Sequence, residues 1–267
     1  MHPSPFTPPS PGATTMILFG AGKLIAVPTT DAAGNAIAVP TPVAVAVLQD
    51  VSVDIDYETK TLHGEKQFAV AVARGKAKIG WKAKTGDFDA GVLGSLLLGS
   101  QPAASRKSAV IDFASAVPAS SPYTVTIAPP DSGAYVADLG VLDVLTGKPL
   151  TRVATSPATG QYSLSAGVYT FAAADTGKGI LISYEYSKAS DAASKLFGIT
   201  NNLMGYTPTF SALFYNEYMG KKLVMKLNAC VMGKQGLPFK NDDFTMTDFD
   251  AEAFADASGS VGYICQY

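Results

Sequence analysis

Reactive side chains are scarce in this chain of 267 residues, which holds two histidines, two cysteines and one tryptophan. Two cysteines, Cys230 and Cys265, are too few for a disulfide framework. They read as free thiols, which pack as small hydrophobes, with a single bridge between them as the alternative. His2 and His63 stand outside any catalytic pattern, and there is no G-x-S-x-G, HExxH or CxxC motif. Charge is also sparse, at 16% of residues against the usual quarter or so. The net charge of −2 argues against a protein that coats nucleic acid. No apolar run approaches the roughly 18 residues that cross a bilayer, so no membrane association is expected. Residues 1–15 lack Lys and Arg and carry Pro3, Pro5, Pro8, Pro9 and Pro11, which oppose the apolar helix of a secretion signal, so none is expected. This stretch is expected to be extended and polyproline-like, an arm laid on a neighbouring subunit or else a solvated tail.

What the chain does have is Ala, Val, Gly, Thr and Ser in strand-like patterns, centred on residues 43–99. Val43–Asp56 reads as a strand, ending in Val51-Ser52-Val53-Asp54-Ile55-Asp56 with apolar odd positions. A charged loop is expected over 57–66, with Tyr57, Glu58, Lys60, His63, Glu65 and Lys66. Phe68–Lys84 reads as a second strand, long against the usual 5–6 residues or so. Its Lys76, Lys78, Lys82 and Lys84 share one face, and Ala77, Ile79, Trp81 and Ala83 the other. The phase changes at Arg74-Gly75, which predicts a bulge. The lysine face is either solvated or a subunit interface that meets acidic groups of the next copy. Asp87 reads as the N-cap of a helix over 87–98, with Phe88, Val92 and Leu96 at helical spacing and Gly99 as its left-handed cap.

The flanking segments are organised around this unit. Met16–Pro28 and Ala36–Leu48 read as a hairpin. Its Gly20-Ala21-Gly22-Lys23 lacks the spacing of a phosphate loop, and Leu24 replaces the magnesium-binding hydroxyl. Lys107–Phe113 reads as one more strand of the same unit. Ala114–Pro122 is linker-like. Short strands then follow at Tyr123–Ile127, Ala134–Val144, Gln161–Leu164, Val168–Phe171 and Ile180–Tyr186. The division expected is an arm over 1–15, a β-domain over 16–113, an inserted β module over 114–189, and the closing part of the β-domain over 190–267. The closing part offers a hairpin of Tyr206–Tyr218 with Lys221–Met232 across Met219-Gly220. A second is expected between Phe244–Phe254 and Val261–Tyr267.

Charge is distributed unevenly along the chain. Residues 60–84 hold seven basic groups against Glu65 alone, whereas beyond Lys240 every charged residue is acidic. Asp248, Asp250 and Glu252 recur at strand spacing, with Asp256 beyond them. Such carboxylates can perform acid–base work on a glycoside or ligate calcium. A solvated or partner-facing acidic face is the simpler reading. No cofactor and no metal are expected, and the balance is against an enzyme.

Four stretches also carry a resemblance. Residues 50–64, DVSVDIDYETKTLHG, followed by FAVAVARGK at 68–76, resemble tail tube (major tail) proteins of long-tailed bacteriophages. GVYTFAAAD at 167–175 and PFKNDDF at 238–244 resemble recurring stretches of phage structural proteins. The likeness is best over about 16–113 and 200–267, and the Pro-rich start departs from it.

The resemblance implies a β-sandwich or barrel with one short flanking helix, and a loop over 57–66 that reaches the adjacent ring. Copies would form closed rings, usually of six, and stack into a conduit for DNA. The partners implied are the chain itself and tape measure, tail terminator and tail tip proteins. DNA would pass without specific binding. The place implied is the virion tail, assembled in the host cytoplasm. An acidic lining would repel phosphates, so Asp248, Asp250, Glu252 and Asp256 are expected at the lumen or against a lysine-bearing neighbour. The alternative function is a capsid decoration or baseplate protein that binds host-surface carbohydrate through the inserted module.

Overall fold

A computed structural model describes residues 16–239 and 241–267; the expected arm over 1–15, with His2, lies outside them. Its strands are β1 Lys23–Pro28, β2 Val43–Val45, β3 Leu48–His63, β4 Ala69–Thr85, β5 Arg106–Ala116, β6 Thr124–Thr126, β7 Ala134–Asp143 and β8 Thr151–Val153. They continue with β9 Gln161–Ser165, β10 Val168–Phe171, β11 Gly179–Lys188, β12 Phe210–Tyr218, β13 Lys221–Gly236, β14 Thr247–Phe254 and β15 Gly262–Gln266. One short helix, α1 Ala90–Val92, runs on into a π-helical turn over Leu93–Leu97. The chain is therefore mainly β, as its composition predicts. It divides into two compact units, one of residues up to 101 together with 197–267, the other of residues 102–196.

In the first unit one antiparallel sheet runs β2-β1-β12-β13-β14-β4-β3, with β15 also paired to β13. The sheet curls back on itself. Trp81 of β4 meets Phe210 and Phe214 of β12 edge-on, with ring centroids 6.1 and 5.4 Å apart, although β13 and β14 lie between those strands in the sheet. The core inside the curl joins Leu24, Trp81, Ala83, Val92, Leu96, Phe210, Leu227 and Phe249. Burying an indole of this kind contributes on the order of 4 kcal/mol. The β12–β13 connection is the expected Met219-Gly220 turn. Both residues have positive φ, 50° and 76°, as a two-residue hairpin turn with the strand's own twist requires.

Several sequence expectations change here. The strand expected over 43–56 is broken at Val47, whose φ is +49°. Its second part, β3, instead continues to His63, so 57–63 is strand and not loop. Charge there marks solvent on both faces and does not mark a turn. The helix is capped by Asp89, whose side chain accepts a hydrogen bond from the Gly91 amide at 2.7 Å, and not by Asp87. Gly99 does take the left-handed conformation, at φ +60°. The closing hairpin does not form: β14 pairs with β13 at 229–236, and β15 pairs with the same strand at 223–227. β13 is long enough to carry both in line, so 255–261 is an excursion along one edge.

In the second unit a four-stranded sheet, β6-β10-β9-β8, and a three-stranded sheet, β5-β11-β7, share one core. Along β11 the side chains of Ile180, Ile182, Tyr184 and Tyr186 are buried in alternation, as one covered sheet face demands. β5 pairs with β11, so residues 106–116 belong here and not to the first unit, and the linker expected at 114 is strand. The Asp138 carboxylate is 4% exposed. It accepts hydrogen bonds from the Tyr162 and Tyr169 hydroxyls at 2.7 and 2.9 Å and from the Gly140 amide at 3.0 Å. Burial pushes both phenols above the ordinary tyrosine range, and the hydrogen bonds to Asp138 add to it. At the base of the unit, Ala103 and Leu196 exchange backbone hydrogen bonds of 2.9 and 3.0 Å.

Candidate assembly surface

β3 and β4 pair from Leu48↔Thr85 out to His63↔Ala69. β14 flanks β4 only between Thr85 and Ile79. Beyond that point the two strands form a projecting hairpin, and every residue from 54 to 78 is exposed. Tyr57, Glu58, Lys60 and His63 stand on β3, while Glu65 and Lys66 lie in the connection at 64–68. The expected bulge is present: one extra residue enters β4 between the pairs Tyr57↔Ala77 and Thr59↔Arg74. There the Arg74 guanidinium lies over the Tyr57 ring, 4.5 Å from its centroid. The hairpin also exposes Leu62, Val70, Val72 and Phe68, the last at 85%. A two-stranded hairpin is marginal in water by itself. Val70 and Val72 share one of its faces and Leu62, paired with Ala71, the other, and exposed apolar side chains gathered on one element suit a contact surface.

The lysines of β4 do not stand alone. Lys84 faces Asp50 on one side and Asp248 on the other, and Lys82 faces Ser52 and Asp250. Lys78 faces Asp56, and its Nζ lies 2.5 Å from Glu252 Oε1. The hydrogen bond to Glu252 holds the Lys78 ammonium above the ordinary lysine range. Lys234 of β13 faces Asp250 from the far side. The sheet face thus carries rows of alternating sign, and the acidic strand and the lysine strand are neighbours within one chain. Asp256 is elsewhere. It sits in the 255–261 excursion and accepts from the Ser258 hydroxyl, the Ser258 and Ser260 amides and the Asn228 amide group. The Ser258 hydroxyl is the main reason its carboxyl lies below the usual range.

Among these rows is a groove of about 430 Å³. Gly80 faces Asp54 on β3 and Glu252 on β14. An added side-chain carbon at Gly80 or at Gly233 would meet nothing within 4 Å. The groove is walled by Asp54, Asp56, Lys78, Lys82, Asp250 and Glu252. Asp54, Asp56 and Gly80 are not among the site residues that the sequence suggests. The signal is present all the same, since all three fall on the even positions that carry the lysines.

Cys230 is buried and free, its thiol pushed up to about 11 by burial, and Cys265 is exposed and free. Among the described residues no cluster of three or more His, Cys, Asp or Glu is placed to hold a metal, and no helix is long and apolar enough to cross a membrane. The chain matches no family model and no curated protein.

Proposed function

We propose that this chain is a structural protein of a phage virion that assembles with itself into the stacked rings of a tail tube. The observation that carries the reading is the β3–β4 hairpin, exposed on both faces from 54 to 78 with apolar side chains along it. Such an element gains its stability from a surface outside its own subunit. The part that reaches the next ring is then a strand pair, where the sequence suggests a loop. The low charge fraction and the outer edge of β3, which among the described residues has β4 as its one sheet partner, also favour contacts between copies. The tape measure, terminator and tip proteins would meet the tube at its ends, and no reaction is assigned to the chain. DNA would pass without specific binding, and the face of mixed sign, Asp50, Asp54, Asp56, Asp248, Asp250 and Glu252 against Lys78, Lys82, Lys84 and Lys234, would meet a basic element of the neighbouring copy. The carboxylates outnumber the ammonium groups there, which favours a partner surface of positive charge.

Electron microscopy and sedimentation velocity of the purified chain test the proposal. Rings or tubes are expected. A monomer at all concentrations, with no ring in any field, overturns it.

A further inference from the structure

We propose that the groove at Gly80 is the landing site for the basic hairpin tip of a second copy of this chain, an inference that rests on the self-assembly reading above. Four carboxylates and two ammonium groups wall the groove: Asp54, Asp56, Asp250 and Glu252 against Lys78 and Lys82. Lys78 is already engaged with Glu252. The groove therefore carries an excess of negative charge. Its floor at Gly80 and Gly233 is bare backbone with open space above it, which leaves room for a long side chain to lie flat. Lysine and arginine suit such a slot, because an apolar stem covers backbone while the charged head reaches a carboxylate.

The hairpin tip supplies that chemistry. Lys60, Lys66 and Arg74 outweigh Glu58 and Glu65 there, and all five are exposed. The tip does not reach the groove of its own chain. Both lie on the same strands, and even Arg74, the nearest of these basic residues along β4, stands roughly 20 Å from Gly80 at the usual strand rise. A tip in a groove is therefore always a contact between copies. The donor and acceptor surfaces differ, so the contact is heterologous and repeats from copy to copy.

Charge reversal in two sets of variants tests this. One set is Lys60→Glu with Lys66→Glu, the other Asp54→Lys with Glu252→Lys. All four sites are exposed, so circular dichroism and melting temperature should match the unaltered chain. Each set alone is expected to raise the concentration needed for assembly at least tenfold. Mixing the two sets should restore assembly, because each reversed tip then meets a reversed groove. Gly80→Leu, which fills the slot without changing charge, should also block assembly. If the unaltered chain assembles and all these variants assemble equally well, another occupant fills the groove and the proposal fails while the tube reading stands. Failure of the mixture to co-assemble likewise overturns it. If the unaltered chain stays monomeric, the tube reading itself falls.

Discussion

Lys78 and Glu252 stand on adjacent strands, their charged groups 2.5 Å apart, one step from the bare backbone of Gly80. Both side chains remain more than half exposed, at 61% and 64%. Water and salt screen such a pair, so it fixes geometry more than it stabilises. Replacing Lys78 with Met is expected to leave the melting temperature nearly unchanged at neutral pH. The sign of the small remaining effect follows from the raised Lys78 pKa. The contribution is present in full below the ordinary lysine value and is lost as pH rises through the higher folded value. Thermal melts from neutral to strongly alkaline pH, with and without the substitution, measure it.

Trp81 governs the first unit. It is 1% exposed and wedged against Phe210 and Phe214. Trp81→Ala should lower the unfolding free energy by about 3–5 kcal/mol, read by urea denaturation followed by circular dichroism. A loss below about 1 kcal/mol would show that the sheet does not close around this ring.

Asp138 holds the second unit from inside. Removing its carboxylate leaves the Tyr162 and Tyr169 hydroxyls without their acceptor. Asp138→Ala should cost about 3 kcal/mol or more, and Tyr162→Phe about 2 kcal/mol, in chemical denaturation. The two phenols should also resist ionisation through the normal tyrosine range, as followed by ultraviolet absorbance. Their raised values mean that the associated stability is complete below the ordinary tyrosine pKa and is lost above it.

The projecting hairpin should behave differently in the free and the assembled chain. In the free subunit its backbone amides beyond Ile79 should exchange with solvent far faster than those of β12 and β13. In assemblies they should be protected, as hydrogen exchange with mass spectrometry reads. Replacing residues 60–74 by a two-residue turn should preserve the fold of the first unit and abolish assembly.

Much of this was legible in the residues, and the exceptions share a cause. The lysine phase of β4 was visible because a strand has only two faces, and Trp81 and Ala83 are buried opposite Lys82 and Lys84 as the alternation requires. The Met219-Gly220 turn and the Gly99 cap were legible because few residues tolerate positive φ. Residues 57–63 look like a loop in the sequence because charged residues signal solvent, and a hairpin standing free of the core meets solvent on both faces. Pairing across long separations left no local mark. The union of β5 with β11, and the sharing of β13 by β14 and β15, depend on partners distant in sequence. The slot at Gly80 likewise leaves no local mark, since its walls come from three strands.

The backbone hydrogen bonds between Ala103 and Leu196 bring the entrance and exit of the second unit side by side. A segment that leaves its host where it entered leaves the host's strand order untouched. The second unit is thus a cassette. A different domain spliced at this neck would leave the strand pairing of the first unit as it is, so the frame can carry a new module without relearning how to fold.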